Sequence, residues 1–200
     1  MGINSKKLKL IRQVWAKKNR VARPAVFFDR DGVLIRLRNV VSEKKHLRLL
    51  IGTGGALKAL QDAGYLLIIA TNQPNIEKGI INSATVKELN NHLQRELRKH
   101  RTALHAAYTC PHRFGSNCAC RKPGLGLIKA ARKDFKIDMK HSWLIGDTTR
   151  DMETGKRTKL KTILVKTGNG GKDRRFFKTK RDFIARNLHV AANIVAKKRG

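Results

Sequence analysis

The chain has 200 residues, 40% of them hydrophobic, which is enough to bury the core of one domain. Its 45 Lys+Arg against 14 Asp+Glu give a formal net charge of +31, and such a charge attracts anions of every kind. The longest apolar run in the body of the chain covers only residues 65–70, whereas a membrane span needs about 20 residues. We therefore expect no spanning helix, and the basic N-terminus lacks the apolar stretch of a secretory signal.

The basic residues are concentrated at both ends of the chain. Residues 1–23 carry eight Lys+Arg and no acid, and residues 166–200 carry eleven Lys+Arg and two acids. We therefore predict a basic N-terminal extension at 1–23, a domain at 24–170 and a basic, helical C-terminal segment at 171–200. In the first segment, Leu8, Ile11 and Trp15 share one face of a predicted helix, which docks on the domain or lies on an anionic surface.

Apolar patterns along the chain predict strands that alternate with helices. The predicted strands cover residues 25–28, 65–70, 106–108, 143–145 and 162–165. The predicted helices cover residues 56–63, a segment that Ser83 caps and that presents Val86, Leu89, Leu93 and Leu97, and a segment around 125–131. This alternation predicts an α/β fold, a doubly wound parallel sheet with helices on both faces. Ligands of such sheets bind at the carboxyl ends of the strands.

Pairs of carboxylates follow two of the predicted strands. The first strand runs into Asp29 and Asp31, and the fourth runs into Asp147, with Asp151 four residues later. Two close carboxylates repel each other unless a proton or a cation separates them. Mg²⁺ favours one or two carboxylates together with phosphate oxygens and water, so the pattern predicts a magnesium site.

Each of these motifs has a plainer interpretation when it stands alone. The run at 29–32 is also typical of a turn, and Thr71-Asn72 after the second strand is also typical of a helix cap. A calcium loop would need oxygen ligands where the chain has Val33 and Val40. In this order, each after a strand, the motifs favour one shared site.

All three cysteines lie within eleven residues of one another. They are Cys110, Cys118 and Cys120, and His112 lies among them. Three thiolates and an imidazole form a closed tetrahedral zinc site, which predicts structural Zn²⁺; the alternatives are free thiols or a Cys118–Cys120 disulfide. An odd number of cysteines speaks against a disulfide framework and predicts a reducing, cytoplasmic location. The run Arg-Lys-Pro at 121–123 follows directly, so the loop is expected to position the two cationic side chains of Arg121 and Lys122.

Taken together, these motifs resemble the haloacid-dehalogenase (HAD) superfamily, and more narrowly its zinc-containing subgroup of small sugar-phosphate phosphatases. That subgroup includes the heptose bisphosphate phosphatases and the histidinol-phosphate phosphatase domain. The match covers roughly residues 24–170, and the motifs that carry it are Asp-Arg-Asp-Gly-Val at 29–33, Thr-Asn-Gln at 71–73, the Cys/His loop with Arg-Lys-Pro, and Gly146-Asp147 with Asp151. The resemblance implies a HAD-like fold without a large cap domain.

The resemblance also implies roles for individual residues. Asp29 would be the nucleophile that forms an aspartyl-phosphate, and Asp31 would protonate the leaving oxygen and then activate water. Thr71 and Asn72 would hold phosphoryl oxygens. Lys122 would neutralise the charge that develops on the transferred group.

The metal and substrate contacts follow from the same resemblance. Asp147 would bind Mg²⁺ together with Asp29 and the backbone carbonyl of Asp31. Asp151 would support this metal or orient the catalytic lysine. Arg121 would contact the substrate.

The function predicted from all of this is a monomeric, Mg²⁺-dependent phosphatase of a small phosphate monoester, above all a sugar (heptose) bisphosphate. A histidinol-phosphate phosphatase is a close alternative. Whatever the substrate, the basic segments are expected to bind polyanions or nucleic acid without sequence specificity. A polynucleotide 3′-phosphatase would use this high positive charge, but few aromatic residues are present to stack bases. A non-catalytic polyanion-binding protein is the third alternative, and the intact acidic motifs argue against it.

Overall fold

A single sheet of seven strands lies at the centre of residues 8–176 and 178–198, which the computed structural model describes. The strands are β1 (Ile11–Val14), β2 (Ala25–Phe28), β3 (Leu66–Asn72), β4 (Ala106–Cys110), β5 (Trp143–Gly146), β6 (Lys161–Val165) and β7 (Phe183–Ala185). Their spatial order is β1-β4-β3-β2-β5-β6-β7, and every neighbouring pair is parallel except β1 and β4.

The described residues also form five α-helices and one short 3₁₀ helix at Lys44–His46. The helices are α1 (Thr53–Asp62), α2 (Ser83–Arg98), α3 (Gly126–Asp134), α4 (Thr149–Thr158) and α5 (Leu188–Lys197). Within the described part of the chain, none of them has the length and apolar character to cross a membrane.

Helix α2 confirms the predicted apolar face but not the predicted cap. Its four predicted core residues, Val86, Leu89, Leu93 and Leu97, are all buried. The cap is Asn82, whose side chain accepts a hydrogen bond from the Thr85 backbone N–H at 2.8 Å. Ser83 is instead the first helical residue, because the asparagine one position earlier already satisfies a free N–H of the first turn.

Alternating side chains of the strands contact two separate layers of helices. In β2, Val26 and Phe28 belong to the core under α1, α2 and α5, whereas Ala25 and Phe27 belong to the core under α3. Successive side chains of a strand point to opposite faces, so a sheet that is covered on both sides requires strands that are apolar at nearly every position. The doubly wound fold is therefore confirmed.

The predicted helix in the N-terminal segment is wrong, because residues 11–14 form the edge strand β1. Strand β4 would otherwise expose an edge, and β1 pairs with it in antiparallel register. Ile11 is buried, and the Arg12 guanidinium pairs with the Asp134 carboxylate. Trp15 does dock on the domain, where its indole N–H donates to Asn91 Oδ1 at 3.0 Å. Residues 1–7 of the predicted extension lie outside the described residues.

The C-terminal segment also contributes to the sheet. Strand β7 pairs with β6 in parallel register, and α5 packs beside α1 against the core. The proposed boundaries at 23 and 170 therefore separate segments that share one sheet. Residues 177, 199 and 200 of this segment lie outside the described residues.

The strand order determines where the polar motifs meet. Strand β2 has β3 on one side and β5 on the other, so the chain winds away from it in both directions. The carboxyl ends of these three strands are therefore adjacent, at the switch point where doubly wound sheets bind ligands.

Candidate active site

Three carboxylates meet at the carboxyl ends of β2 and β5. One oxygen each of Asp29, Asp147 and Asp151 lies within 4.8 Å of the others. Asp147 Oδ2 accepts hydrogen bonds from the backbone N and the side-chain Nδ2 of Asn169, at 2.7 and 2.9 Å, but its buried Oδ1 has no hydrogen-bond partner among the described residues. Burial, together with the charges of Asp29 and Asp151, raises the pKa of Asp147 to about 7. A divalent cation would pair the free oxygen and offset this repulsion, so the cluster fits magnesium.

The loop after β2 approaches Asp147 closely at Gly32. Gly32 has a φ of +83°, and a Cβ atom there would lie 2.4 Å from Asp147 Oδ2. Only glycine combines this left-handed backbone with the missing side chain. The glycine of the Asp-x-Asp-Gly motif therefore allows the two strand ends to converge.

Lys122 lies between two of the carboxylates. Its side chain is 2% exposed, and its Nζ lies 2.5 Å from Asp151 Oδ1 and 3.0 Å from Asp29 Oδ2. Burial lowers the pKa of Lys122, but the charges of Asp151 and Asp29 outweigh it and the net pKa is raised. The side chain is therefore an ammonium ion held beside Asp29.

Asn72 and Thr71 bind protein groups at this edge of the sheet. Asn72 Oδ1 accepts from the Lys122 backbone N at 3.0 Å, and its Nδ2 donates to the Lys122 carbonyl at 3.3 Å. Thr71 Oγ1 donates to Asp29 Oδ1 at 2.7 Å. The two predicted phosphate ligands thus orient the lysine and the candidate nucleophile.

The two carboxylate oxygens of Asp151 have different partners, one at the start of α4 and the other Lys122. Its Oδ2 accepts from the Thr148 backbone N at 3.1 Å and from Thr148 Oγ1 at 2.5 Å, which forms the N-terminal cap of α4. Its Oδ1 contacts Lys122. Burial is the largest cause of the raised pKa of Asp151, and Lys122 opposes it. This geometry favours the second of its two predicted roles, orientation of the lysine.

Asp31 is held by two residues, Arg30 and Gln73, to which the sequence motifs assign no role. Arg30, whose side chain is 0% exposed, donates to both Asp31 oxygens, at 3.0 Å to Oδ2 and 3.3 Å to Oδ1 through Nη2. Gln73 Nε2 donates to Asp31 Oδ2 at 2.6 Å. The signal was present, since Arg30 separates the two aspartates and Gln73 ends the Thr-Asn-Gln run. The Asp31 carboxylate lies outside the cluster with Asp147.

A cavity of about 260 Å³ opens over these groups. Asp29, Asp31 and Lys122 line it, and four further cations surround it, namely Arg38, Lys78, Arg121 and Arg150. The Arg121 Nη1 donates to the His112 carbonyl at 2.8 Å, which anchors the arginine to the Cys/His loop. The cavity is therefore an anion site with carboxylates at one wall.

The Cys/His loop brings its four predicted ligands together. Cys118 Sγ lies 3.7 Å from the sulfurs of both Cys110 and Cys120, and His112 Nδ1 lies 3.5 and 3.4 Å from those two sulfurs. Around a tetrahedral zinc with Zn–S of about 2.3 Å and Zn–N of about 2.0 Å, these separations would be about 3.8 and 3.5 Å. These four separations agree with the ideal values to about 0.1 Å, whereas the Cys110–Cys120 separation, 3.1 Å, is clearly shorter. The donor set therefore fits zinc.

Comparison with known proteins places the chain among phosphatases. A family model described as HAD-hydrolase-like matches residues 119–191, which include Lys122, Asp147 and Asp151. The chain is 35% identical over 156 residues to a D-glycero-beta-D-manno-heptose-1,7-bisphosphate 7-phosphatase of Haemophilus ducreyi, covering 74% of this chain and 86% of the relative. It is 37% identical over 146 residues to the protein of the same name from Helicobacter pylori strain J99, covering 72% and 84%.

Solved structures have the same fold. The D,D-heptose 1,7-bisphosphate phosphatase of B. bronchiseptica, complexed with magnesium and phosphate, superposes with a TM-score of 0.77 and 26% identity, over 88% of this chain and 99% of that one. A putative HAD-like phosphatase of Mesorhizobium loti superposes with a TM-score of 0.78 over 94% and 93% of the two chains. At 20% identity, the second match shows the fold alone.

Proposed function

The chain belongs to the HAD-like phosphatase family of the D-glycero-beta-D-manno-heptose-1,7-bisphosphate 7-phosphatases, and from this we propose that it removes one phosphate from a sugar bisphosphate of the heptose class. As a member it is a phosphoric monoester hydrolase. The observation that carries the proposal is the buried contact of Lys122 with Asp29, beside an Asp147 oxygen that has no hydrogen-bond partner among the described residues.

The residues divide the reaction into two steps. In the first, a carboxylate oxygen of Asp29 attacks phosphorus, the bond from phosphorus to the sugar oxygen breaks, and Asp31 gives that oxygen a proton. In the second, Asp31 takes a proton from a water molecule whose oxygen attacks the aspartyl-phosphate, which releases phosphate and restores Asp29. Lys122 stabilises the negative charge of the transferred group in both steps.

We assign the magnesium ligands to Asp29, Asp147 and the backbone carbonyl of Asp31, with Asp151 supporting them through Lys122. The free buried oxygen of Asp147 supports this assignment, and so does the magnesium reported with the B. bronchiseptica structure. When bound, the ion supplies positive charge that lets an anionic nucleophile approach an anionic phosphate.

We assign structural zinc to Cys110, His112, Cys118 and Cys120. Four protein ligands leave no open position, so the ion would hold the loop and take no part in the chemistry. Through the His112 carbonyl the loop holds Arg121 at the cavity. Three thiols gathered with a histidine at one metal site are typical of a reducing compartment, so we propose a cytoplasmic location.

The charge around the cavity supports a substrate with two phosphates. Burial lowers the pKa of Arg121, and so do the charges of Arg150 and Arg175, so positive charge is in excess around the Arg121 guanidinium. Arg121 and Arg150 also line a second cavity of about 390 Å³ beside the first. A distal phosphate would neutralise them, because guanidinium binds phosphate bidentately.

The test is a phosphatase screen in Mg²⁺ with heptose 1,7-bisphosphate, sugar monophosphates, histidinol phosphate and 3′-phosphorylated oligonucleotides. We expect the bisphosphate to give the highest kcat/KM and Asp29→Asn to abolish turnover. Asp62→Asn, an exposed carboxylate on α1 that pairs with Lys58, is the matched control. Preference for histidinol phosphate or an oligonucleotide would replace the substrate assignment, and activity of Asp29→Asn would remove Asp29 as the nucleophile.

A further inference from the structure

A chain of hydrogen-bonded polar side chains, of which Arg30 and Asn90 are fully buried, connects Asp31 to the edge strand β1. The Arg30 guanidinium, which binds Asp31, also donates through Nη1 to Asn90 Oδ1 on α2 at 3.3 Å. Asn90, which is 0% exposed, donates through Nδ2 to Gln13 Oε1 at 2.9 Å. Gln13 lies on β1, paired with Ala107 of β4. Three hydrogen-bonded links therefore separate the candidate acid from a strand outside the predicted domain.

Each amide in this chain has only one orientation that satisfies its neighbours. Gln13 Nε2 donates to the Lys87 carbonyl at 3.0 Å and contacts Asn91 Oδ1 at 3.3 Å, so Gln13 Oε1 faces Asn90 as an acceptor. Asn90 must then direct its NH₂ group to Gln13 and its oxygen to Arg30. A flipped Asn90 would place donor against donor at Arg30. The strand thus determines which atom the arginine meets.

Arg30 depends on these partners because it is charged and buried. A guanidinium keeps its proton at any physiological pH, so burial leaves it no neutral form. Such a charge is tolerated only where partners satisfy it, here Asp31 on one side and Asn90 on the other. If Asn90 is replaced or its amide is reversed, Arg30 Nη1 loses its acceptor. We then expect the guanidinium to shift towards another partner and the Asp31 side chain to shift with it.

We propose that Gln13 and Asn90 are positioning residues for proton transfer, which hold Arg30 and thereby the Asp31 carboxyl group where it meets the leaving oxygen. The inference rests on the proposed function, since it concerns the acid of that reaction. When Asp31 is protonated, its other carboxyl oxygen still accepts hydrogen bonds from Arg30. As the phosphorus–oxygen bond breaks, the Asp31 carboxyl proton passes to the sugar oxygen, and Arg30 then pairs with the carboxylate that forms. Alignment of donor and acceptor governs the rate of such a transfer.

The test compares two leaving groups in Gln13→Leu and Asn90→Leu. A sugar hydroxyl must be protonated as it leaves, whereas p-nitrophenolate is stable without a proton. We measure kcat/KM, which reports only the steps up to the first irreversible one and so is insensitive to hydrolysis of the aspartyl-phosphate. We expect kcat/KM for the sugar bisphosphate to fall about ten- to a hundredfold, and that for p-nitrophenyl phosphate to stay within about threefold.

Arg12→Leu is the matched control, since Arg12 adjoins Gln13 on β1 and pairs with Asp134, outside the chain of amides. It loosens the same strand without touching Asn90, and we expect equal, small effects on both substrates. The inference is overturned if Gln13→Leu lowers kcat/KM for both substrates by the same factor, as a general loss of structure would. It is also overturned if kcat/KM falls for neither substrate. Gln13 is only half-buried, so it decides the matter if Asn90→Leu does not fold.

A wild-type protein that hydrolyses neither substrate would overturn the proposed function, and the inference with it. Wild-type activity with no leaving-group dependence in the variants would overturn the inference alone.

Discussion

At the scale of single residues, the site is organised by charges that cannot be left unpaired. Lys122 is buried between Asp29 and Asp151, and Arg30 is buried against Asp31. Each cation is oriented by the carboxylate that it neutralises, so few conformations are available to either. Such preorganised charge is what stabilises a transferring phosphoryl group without reorganisation during the reaction.

Arg121 provides a prediction about substrate charge. Arg121→Ala should raise KM for a sugar bisphosphate by roughly ten- to a hundredfold, because one charge-assisted contact contributes about 1.5–3 kcal/mol. The value for p-nitrophenyl phosphate should change little if the arginine binds the distal phosphate. Steady-state kinetics on both substrates measure this, and an equal loss on both would show that Arg121 serves the transferred phosphate.

His105 provides a prediction about acid stability. Burial, with a smaller effect of the Arg23 charge, lowers the pKa of His105 to about 4, and its Nδ1 accepts the Leu67 N–H at 3.0 Å. The folded protein therefore keeps a neutral imidazole, while the unfolded chain binds a proton below about pH 6.5. The free energy of unfolding should fall as the pH drops from 6.5 towards 4, by at most about 1.4 kcal/mol per pH unit from this group.

His105→Asn is the control for this prediction, because Asn Oδ1 can accept the same N–H without titrating. Urea unfolding at several pH values should show a flatter acid limb for the variant than for the wild type. Parallel limbs would show that His105 does not cause the acid sensitivity.

At the scale of elements, polar side chains fix the start of one helix and the conformation of one loop. Helix α2 begins at a side-chain cap, and the Cys/His loop is held by ligands that converge on one point. Glu77 also holds the Cys/His loop, because its carboxylate accepts hydrogen bonds from Ser116 Oγ and the Arg113 backbone N. The local stability of both segments therefore depends on named side chains.

The cap of α2 can be tested by paired substitutions. Asn82→Ala should lower the free energy of unfolding by about 1 kcal/mol, because the Thr85 N–H loses its acceptor. Ser83→Ala should have little effect, because Ser83 is inside the helix. Denaturant unfolding of the two variants measures the difference, and a larger loss for Ser83→Ala would restore the cap predicted from the sequence.

The Cys/His loop is tested by metal content. The purified protein should hold about one zinc per chain, and Cys118→Ser should release it and lower the melting temperature, since metal binding contributes to folding of the loop. Ser116→Ala, which removes the hydrogen bond to Glu77 but no metal ligand, is the control and should keep its zinc. Active protein without zinc would contradict the assignment.

At the scale of the whole molecule, segments from both ends of the chain complete the sheet. Strands β1 and β7 are its two edges, and the chain of amides from Gln13 joins one edge to the catalytic centre. The charge of +31 belongs to this complete body as well as to its ends. Removing an end therefore changes both charge and structure.

Deletion of residues 1–23 should produce both effects, and two different measurements distinguish them. Losing β1 should lower the free energy of unfolding by at least about 2 kcal/mol, because Ile11 and the partners of Trp15 lose buried contacts. Losing eight basic residues should also flatten the salt dependence of heparin binding. Denaturant unfolding and heparin elution measure the two effects, and unchanged stability would show that β1 is dispensable.

Residue patterns along the chain were enough to predict the alternation of strands and helices, the four zinc-type ligands and the aspartates at the strand ends. These features are local, because period-two and period-3.6 patterns and short spacings are readable along the chain. The family resemblance added roles for residues that already stood out chemically.

Features that depend on partners far away in the chain could not be predicted from local patterns. Residues 11–14 form a strand because β4 offers a free edge. The four residues themselves contain no pattern that predicts this pairing. Asn72 binds the lysine backbone and Arg30 reaches Asn90 because the fold brings together groups 50 and 60 positions apart. A hydrogen bond between such groups depends on where the backbone places them, and that placement is a property of the packed sheet rather than of any local segment.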